Sequence, residues 1–246
     1  RLMGPLKDIK IFDLTRVLAG PHCTQILGDL GADIIKIERV EAGDDTRKFA
    51  PPYMKDSNGK DTNQSAYFSG TNRNKRSLTL DLSSKEGQSI ARELISKSDI
   101  LVENFKVGTL KKYNLDYESL KGQFPNLIYC SITGFGQTGP YASRPAYDAL
   151  VQAMGGVMSL TGEPDGEPMK VGVSIADLMA GMYATVSILA ALRHRDKTNQ
   201  GQHLDVSMLD AHVAWLANQG MNYLATGSNP ERLGNQHPNI LPYQVM

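Results

Sequence analysis

KDIKIFDLTRVLAGPHCTQILGDLGADIIKIER, residues 7–39, is the stretch that decides the fold. Residues 9–14 alternate and then turn apolar, the pattern of a strand with one end sunk in a core. Ala19-Gly20-Pro21 follows, and proline suits the first helical position, where its missing N–H has no partner to lose. The helix expected over 21–30 stops at Gly31, a residue free to adopt the left-handed conformation that closes helices. DIIKIE, residues 33–38, reads as a second strand. Strand, helix and strand within about thirty residues make a βαβ unit, which puts two parallel strands in one sheet with a right-handed crossover.

The same rhythm continues outward. RSLTLDL (76–82) reads as a strand, and Ser83-Ser84-Lys85-Glu86 has capping-box spacing ahead of a helix running to residue 97. Further strands are expected at 99–103, 126–132 and within QHLDVSM. Helices are expected from near Tyr147, from Asp177 through a long apolar run, and over 209–224. The expectation is an α/β fold, Rossmann-like, with a mostly parallel sheet and helices on both faces. Residues 43–65 break the rhythm: they are polar, contain Pro51 and Pro52, and have no period, so they read as a long loop.

Composition narrows the function classes. Of 246 residues, 26 are Lys or Arg and 26 Asp or Glu, giving zero net charge, with 41% apolar residues. That is too apolar for intrinsic disorder and too neutral for a dedicated nucleic-acid binder. Cys23 and Cys130 lack both a disulfide framework and zinc-ligand spacing, which fits a reducing compartment. The most apolar run, residues 178–192, is shorter than the ~20 residues of a bilayer helix, so no membrane span is expected. The opening RLMGPLKDIK has no signal-peptide core. The closing PNILPYQVM stops without a terminal helix, and the chain reads as part of a longer one.

Chemistry is expected beyond the carboxyl ends of the strands. The first loop, TRVLAGP, enters a helix N-terminus but is not GxGxxG, so a dinucleotide fingerprint is absent and a nucleotide-dependent oxidoreductase is disfavoured. Arg39 ends the second strand, and VENFKVGTLKK gathers Asn104, Lys106, Lys111 and Lys112; each reads first as solvated surface charge, with a phosphate site as the alternative for the cluster. Asp177 is a lone carboxylate opening an apolar helix. It reads as an N-cap, worth ~1 kcal/mol, as a nucleophile or base held in a partly dry site, or as both. The five histidines have no metal-ligand or triad spacing.

DLTRVLAGP, LGDLGADIIKIE, GDDTR, NRNKRS, VENF, SITGFGQTGP and the Asp177 segment, in that order and spanning the chain, resemble the class III CoA-transferases. That family includes formyl-CoA transferase and α-methylacyl-CoA racemase. AGDDTR, NRNKRS and YCSITGFGQTGP are most similar to its succinyl-CoA-dependent branch acting on glutarate or hydroxymethylglutarate. The resemblance implies that residues 1–246 form the large CoA-binding domain of a two-domain chain, with the small domain and C-terminal return segment absent. It also implies an interlocked homodimer and, from that branch, a mitochondrial location or otherwise a cytoplasmic one. The substrates implied are a coenzyme A thioester and a carboxylic acid, with no permanently bound cofactor, no metal, no nucleic acid and no membrane.

The catalytic residue the resemblance implies is Asp177. The CoA contacts it implies are Leu18, Ala19, Arg39, Leu80, Asp81, Leu82, Ser83, Asn104, Phe105, Lys106, Lys112, Ala146, Tyr147 and Asp148. Formyl-CoA transferase has glutamine where Leu18 stands and arginine where Lys112 stands, so a side-chain hydrogen bond and a bidentate fork are lost. Tyr147 occupies the place of the racemase's second proton-transfer group, a histidine, and a phenol is a poor proton acceptor near neutrality. CoA transfer is therefore favoured over racemisation, with a non-catalytic CoA-binding fragment as a further alternative. Glycine-rich segments at 134–139 and 155–156 are candidate oxyanion donors, and Arg16, Arg47 and Arg73 are unranked candidates for an acceptor's distal carboxylate.

Overall fold

A computed structural model describes residues 4–243, so the first three and last three residues of the terminal stretches read above lie outside the described residues. The strands are β1 (Lys10–Asp13), β2 (Asp33–Glu38), β3 (Tyr53–Lys55), β4 (Asp61–Ser65), β5 (Lys75–Thr79), β6 (Ile100–Glu103), β7 (Ile128–Thr133) and β8 (His203–Ser207). The helices are α1 (Ala19–Asp29), α2 (Ala66–Thr71), α3 (Lys85–Ile95), α4 (Tyr117–Leu120), α5 (Asp148–Met154), α6 (Val157–Leu160), α7 (Ile175–Thr198), α8 (Met208–Val213) and α9 (Ala217–Thr226). Six strands pair in the order β5-β2-β1-β6-β7-β8, every neighbour parallel. The chain runs outward from β1 in one direction and from β6 in the other, the doubly wound order with its switch point between these two strands.

The central strands β1, β6 and β7 are buried because both faces of the sheet are covered there, while edge strand β5 is polar and exposed. Ile11, Ile100, Val102, Ile128 and Cys130 point into a core closed by α1 and α7. Their neighbours Phe12, Leu101 and Tyr129 point into a second core, closed by Ala91 and Ile95 of α3 and by Leu110, Leu115 and Leu120. Cys23 and Cys130 are buried free thiols, and burial pushes the Cys23 thiol up to about 12.

Helix α7 is longer than its apolar run suggested. At 24 residues it is long and apolar enough to cross a membrane by length and composition, so the length argument made from residues 178–192 fails. Its burial identifies it as a core helix instead: Ala176, Ala180, Ala184, Ile188 and Ala191 form a buried stripe at helical spacing. Small residues along that stripe let α1 approach closely. A Cβ on Gly181 would lie 2.7 Å from the Ala19 carbonyl oxygen.

Three local readings need correction. Residues 43–65 are not a structureless loop: a 3-10 turn at Asp45–Lys48 leads into an antiparallel hairpin of β3 and β4. The hairpin is exposed on both sides, so its sequence carries no apolar alternation. The cap of α3 is Ser84, which accepts from the Gly87 N–H at 2.9 Å, while Ser83 turns back to Asp81. The helix expected over 209–224 is two, α8 and α9, interrupted by a 3-10 turn and by Ala217 at φ 46°.

Candidate active site

The crevice at the switch point is built by the loops that leave β1 and β6. Asn104, just after β6, accepts from the Arg16 N–H at 2.9 Å and donates to the Arg16 carbonyl at 2.7 Å, lacing the two loops together. Val17 is held at φ 69°, a left-handed conformation that costs a β-branched residue roughly 1–3 kcal/mol. Its N–H donates to Asp44 at 3.3 Å.

Buried ammonium groups fix this loop from below. Lys36 Nζ donates to the Thr15 carbonyl at 2.8 Å and pairs with Asp44 at 2.8 Å; Lys75 Nζ reaches the Pro21 carbonyl at 2.9 Å and Asp13 at 3.3 Å. Burial alone would raise the Asp13 carboxyl, but Lys75, Lys36 and the hydroxyls of Thr15 and Thr24 pull it below its ordinary value. A lysine in the middle of an otherwise apolar parallel strand, as in DIIKIE, was the available sequence signal for this layer.

Asp177 is the third residue of α7, not its N-cap. The N-cap is Ser174, whose side chain makes no capping bond. The cap comes from a distance: Asp148, the first residue of α5, accepts from the Ala176 N–H at 2.8 Å and from the Asp177 N–H at 3.4 Å. Its other oxygen accepts from Gln152 Nε2 at 2.6 Å. The Asp177 carboxylate is left half-buried, with no cationic partner among the described residues. Burial, reinforced by the nearby Asp148 charge, pushes it up to about 7, against a hydrogen bond from the Ala19 N–H that works in the opposite direction.

A cavity of about 250 Å³ opens on Asp177, lined also by Ala19, Asn104, Phe105, Lys106, Ala146 and Tyr147. A larger one, about 500 Å³, is lined by Arg39, Leu80, Asp81, Leu82, Ser83 and Tyr113. Arg16 and Phe105 line both, with the guanidinium 5.3 Å from the ring centroid, so the two cavities adjoin. Most of the residues expected at a CoA site thus fall along one continuous depression. Three do not. Leu18 is buried at the start of α1, Lys112 is exposed on a turn and lines neither cavity, and Asp148 has its carboxylate turned to the start of α7.

The cations divide clearly. Arg47 is bidentate to Glu38 at 2.6 and 2.7 Å and lies over Phe68, holding the Glu38 carboxyl down at about 2 against the effect of burial. Arg73 is bidentate to Asp29 on the surface. Arg39 is ion-paired with Asp45. Arg16 lies in the Asp177 cavity with a looser contact to Asp45 at 3.3 Å. Arg144, missed in the sequence, lines the same cavity, stacks 4.6 Å over Tyr141, and has no carboxylate partner among the described residues. Its place in the loop after β7 was the signal that could have found it. Of the glycine segments, Gly134 lines the Asp177 cavity, whereas Gly155 packs on His212 at the far end of α5.

A second titratable cluster lies on the other face of the sheet, in a cavity of about 130 Å³ lined by Glu103, Ser131 and His203. Ser131 Oγ and His203 Nε2 are 2.9 Å apart, and burial pushes Glu103 up to about 7. Ser131 is itself buried, with its hydroxyl engaged by His203.

Comparison with known proteins gives this geometry its context. A sequence model described as CoA-transferase family III matches residues 6–246. Succinate–glutarate CoA-transferase of Agrobacterium fabrum is 53% identical over 242 residues, 98% of this chain and 60% of that protein. Mouse succinyl-CoA:glutarate CoA-transferase is 44% identical over 243 residues, 99% of this chain and 54% of that protein. Among solved structures, a CAIB/BAIF family protein from Brucella suis superposes with a TM-score of 0.92 at 53% identity, covering 99% of this chain and 63% of that one. The chain therefore spans a little over half the length of the curated relatives it matches.

Proposed function

This chain belongs to CoA-transferase family III, and on that premise we propose that it moves CoA from succinyl-CoA to a dicarboxylate such as glutarate or hydroxymethylglutarate, with Asp177 as the nucleophile. The observation that carries the reading is an unpaired, half-buried carboxylate facing a cavity that adjoins a second one lined by Arg39 and Leu80 to Ser83. An aspartate pushed up to about 7 is a stronger nucleophile than an ordinary one and is still substantially ionised near neutrality.

The Asp177 carboxylate attacks the thioester carbonyl, the C–S bond breaks, and a mixed anhydride and CoA thiolate result. The thiolate then attacks the aspartyl carbonyl, releasing the donor acid as its carboxylate and leaving an aspartyl–CoA thioester. The acceptor carboxylate attacks that thioester, the thiolate departs and returns to the acceptor's carbonyl, and Asp177 is regenerated. No proton is gained or lost over the cycle, and the thioester bond energy is conserved. When thiolate attacks the aspartyl carbonyl, negative charge develops on an Asp177 side-chain oxygen, and the Ala19 N–H beside the carboxyl is the fixed donor placed to stabilise it.

Phe105 and the loop around Asn104 would carry the pantetheine arm between the two cavities, with Arg39 and Lys106 opposite the CoA phosphates. Arg16 and Arg144 are the cations assigned to the acceptor's distal carboxylate, because Arg47 and Arg73 are already held by Glu38 and Asp29. Exposed Met182, Tyr183, Val186 and Leu189 on α7 support the further proposal of a homodimer, since they form an apolar strip for a second chain to cover.

The test is exchange between succinyl-CoA and glutarate with Asp177→Ala and Asp177→Asn. Loss of exchange with CoA binding retained is expected of both variants, and the unsubstituted protein is expected to give a hydroxamate on Asp177 after hydroxylamine treatment only when acyl-CoA was present. Undiminished exchange in either variant overturns the nucleophile. CoA binding without exchange by the unsubstituted protein would favour a non-catalytic CoA-binding role.

A further inference from the structure

Asp148 is the residue whose placement the proposed chemistry leaves unexplained. The resemblance puts it among the CoA contacts, yet its side chain is fully engaged in the opposite direction. One carboxylate oxygen accepts from the Ala176 and Asp177 N–H groups at 2.8 and 3.4 Å. The other accepts from Gln152 Nε2 at 2.6 Å, and Gln152, itself buried, turns its own oxygen to the Val171 N–H at 2.8 Å. A chain of hydrogen bonds thus runs from the segment before α7, through α5, to the backbone of Asp177. An ordinary cap for this helix was available at Ser174, and its side chain is not used.

We propose that Asp148 is a positioning residue for Asp177: it holds the first turn of α7 by its backbone and sets a fixed negative charge behind the Asp177 carboxylate. This rests on the reading of Asp177 as the nucleophile. The charge works in a direction a simple cap does not need. The N-terminus of a long helix would by itself favour ionisation of Asp177 and weaken it as a nucleophile. Asp148 offsets that field at close range, keeping the carboxylate basic, and the same contacts prevent its backbone from shifting as the anhydride forms and breaks.

Other groups face the pair. Tyr67 of α2 lies within electrostatic reach of both carboxylates, and burial and their charge raise its phenol. Arg16, Asp45, Lys106, Arg144 and Tyr147 line the cavity in front of Asp177. His212 of α8 is buried and held below its ordinary value by burial, with Asp148 acting in the opposite sense. None of these donates to or accepts from the Asp148 carboxylate among the described residues, so replacing Asp148 removes a charge without breaking an ion pair.

The experiment compares Asp148→Asn, Asp148→Ser and Asp148→Glu in succinyl-CoA–glutarate exchange, measuring kcat/KM against pH, with Asp177→Asn as the control for the underlying reading. Asparagine keeps one acceptor oxygen for the α7 N–H groups and removes the charge, giving up only the contact with Gln152; serine removes the charge and shortens the side chain, and Gln152→Ala reports the loss of the Gln152 contact by itself. The acid limb of the profile is expected to move down by about one pH unit, and kcat/KM on the plateau to fall by roughly threefold, as a less basic nucleophile implies. Asp148→Glu is expected to restore the limb. A limb that stays in place in a folded neutral variant overturns the proposal, as does failure of both neutral variants to fold while the glutamate variant folds. Full activity of Asp177→Asn defeats the nucleophile assignment itself and is distinguished by that control.

Discussion

Asp177→Asn should make this protein more stable while stopping its chemistry, and the structure sets the size of the effect. In the folded chain the carboxyl is pushed up from 3.8 to about 7, chiefly by burial and then by Asp148. A group whose folded pKa lies above its unfolded one contributes stability that is fully present below the unfolded value and lost as pH rises through the folded one. The ionised Asp177 is therefore a burden on the fold above pH 7. At ~1.4 kcal/mol per pH unit the gap corresponds to at most about 4 kcal/mol. Because the side chain is only half-buried and solvent screens part of the field, about half of that, ~2 kcal/mol, is the expected gain. Asparagine has nearly the same shape and keeps an acceptor for the Ala19 N–H, so little packing changes. For a chain of this size ~2 kcal/mol corresponds to a rise in Tm of roughly 4–8 °C. The assay is urea and thermal unfolding of both proteins from pH 4 to pH 8. The difference should be smallest at pH 4, grow through pH 7 and then level off, while exchange is lost at every pH. A variant less stable than the parent at pH 8, or a difference that does not vary with pH, refutes the account of a desolvated carboxylate beside a second negative charge.

Three further outcomes follow from the geometry. Arg144→Gln should raise KM for a dicarboxylate acceptor by about tenfold, the worth of one charge-assisted contact, and leave KM for the CoA donor and the use of monocarboxylates largely unchanged; an equal loss for monocarboxylates argues against distal-carboxylate binding. Lys36→Met leaves Asp44 buried beneath the β1–α1 loop without its partner and should cost about 3–5 kcal/mol in urea unfolding near neutrality. An effect under 1 kcal/mol would mean that water already reaches this pair. Gly181→Ala drives a methyl against the Ala19 carbonyl where α1 and α7 cross and should cost about 1–3 kcal/mol, with exchange reduced because Ala19 carries the N–H that faces Asp177.

Much of the sheet was legible because its signals are local. β2 is where the apolar run DIIKIE predicted it, and the other main strands fall within a few residues of expectation, since parallel strands buried on both faces write themselves as short apolar runs. The βαβ rhythm implied parallel pairing before any contact was seen. The hairpin at residues 53–65 was illegible for the opposite reason: with both faces in solvent it has no alternation to read. Helix α7 was underestimated because its last turns are charged, and helicity there is carried by continuation of the hydrogen-bond ladder, not by apolar pattern.

The candidate site divides in the same way. Asp177 stood out in the sequence as a lone charge before an apolar helix, and the ordered motifs around it identified the family, so the sequence by itself determined the fold class and pointed to the residue proposed as the nucleophile. Only the tertiary structure decided what surrounds that residue. Asp148 lies 29 positions away and Gln152 25, Arg16 and Asn104 meet across 88 residues, and Lys75 secures a loop that begins 60 residues earlier. No local propensity encodes such meetings. They follow from the order in which strands are laid into the sheet and from the close crossing of α1 and α7, and those are outcomes of packing the whole chain at once.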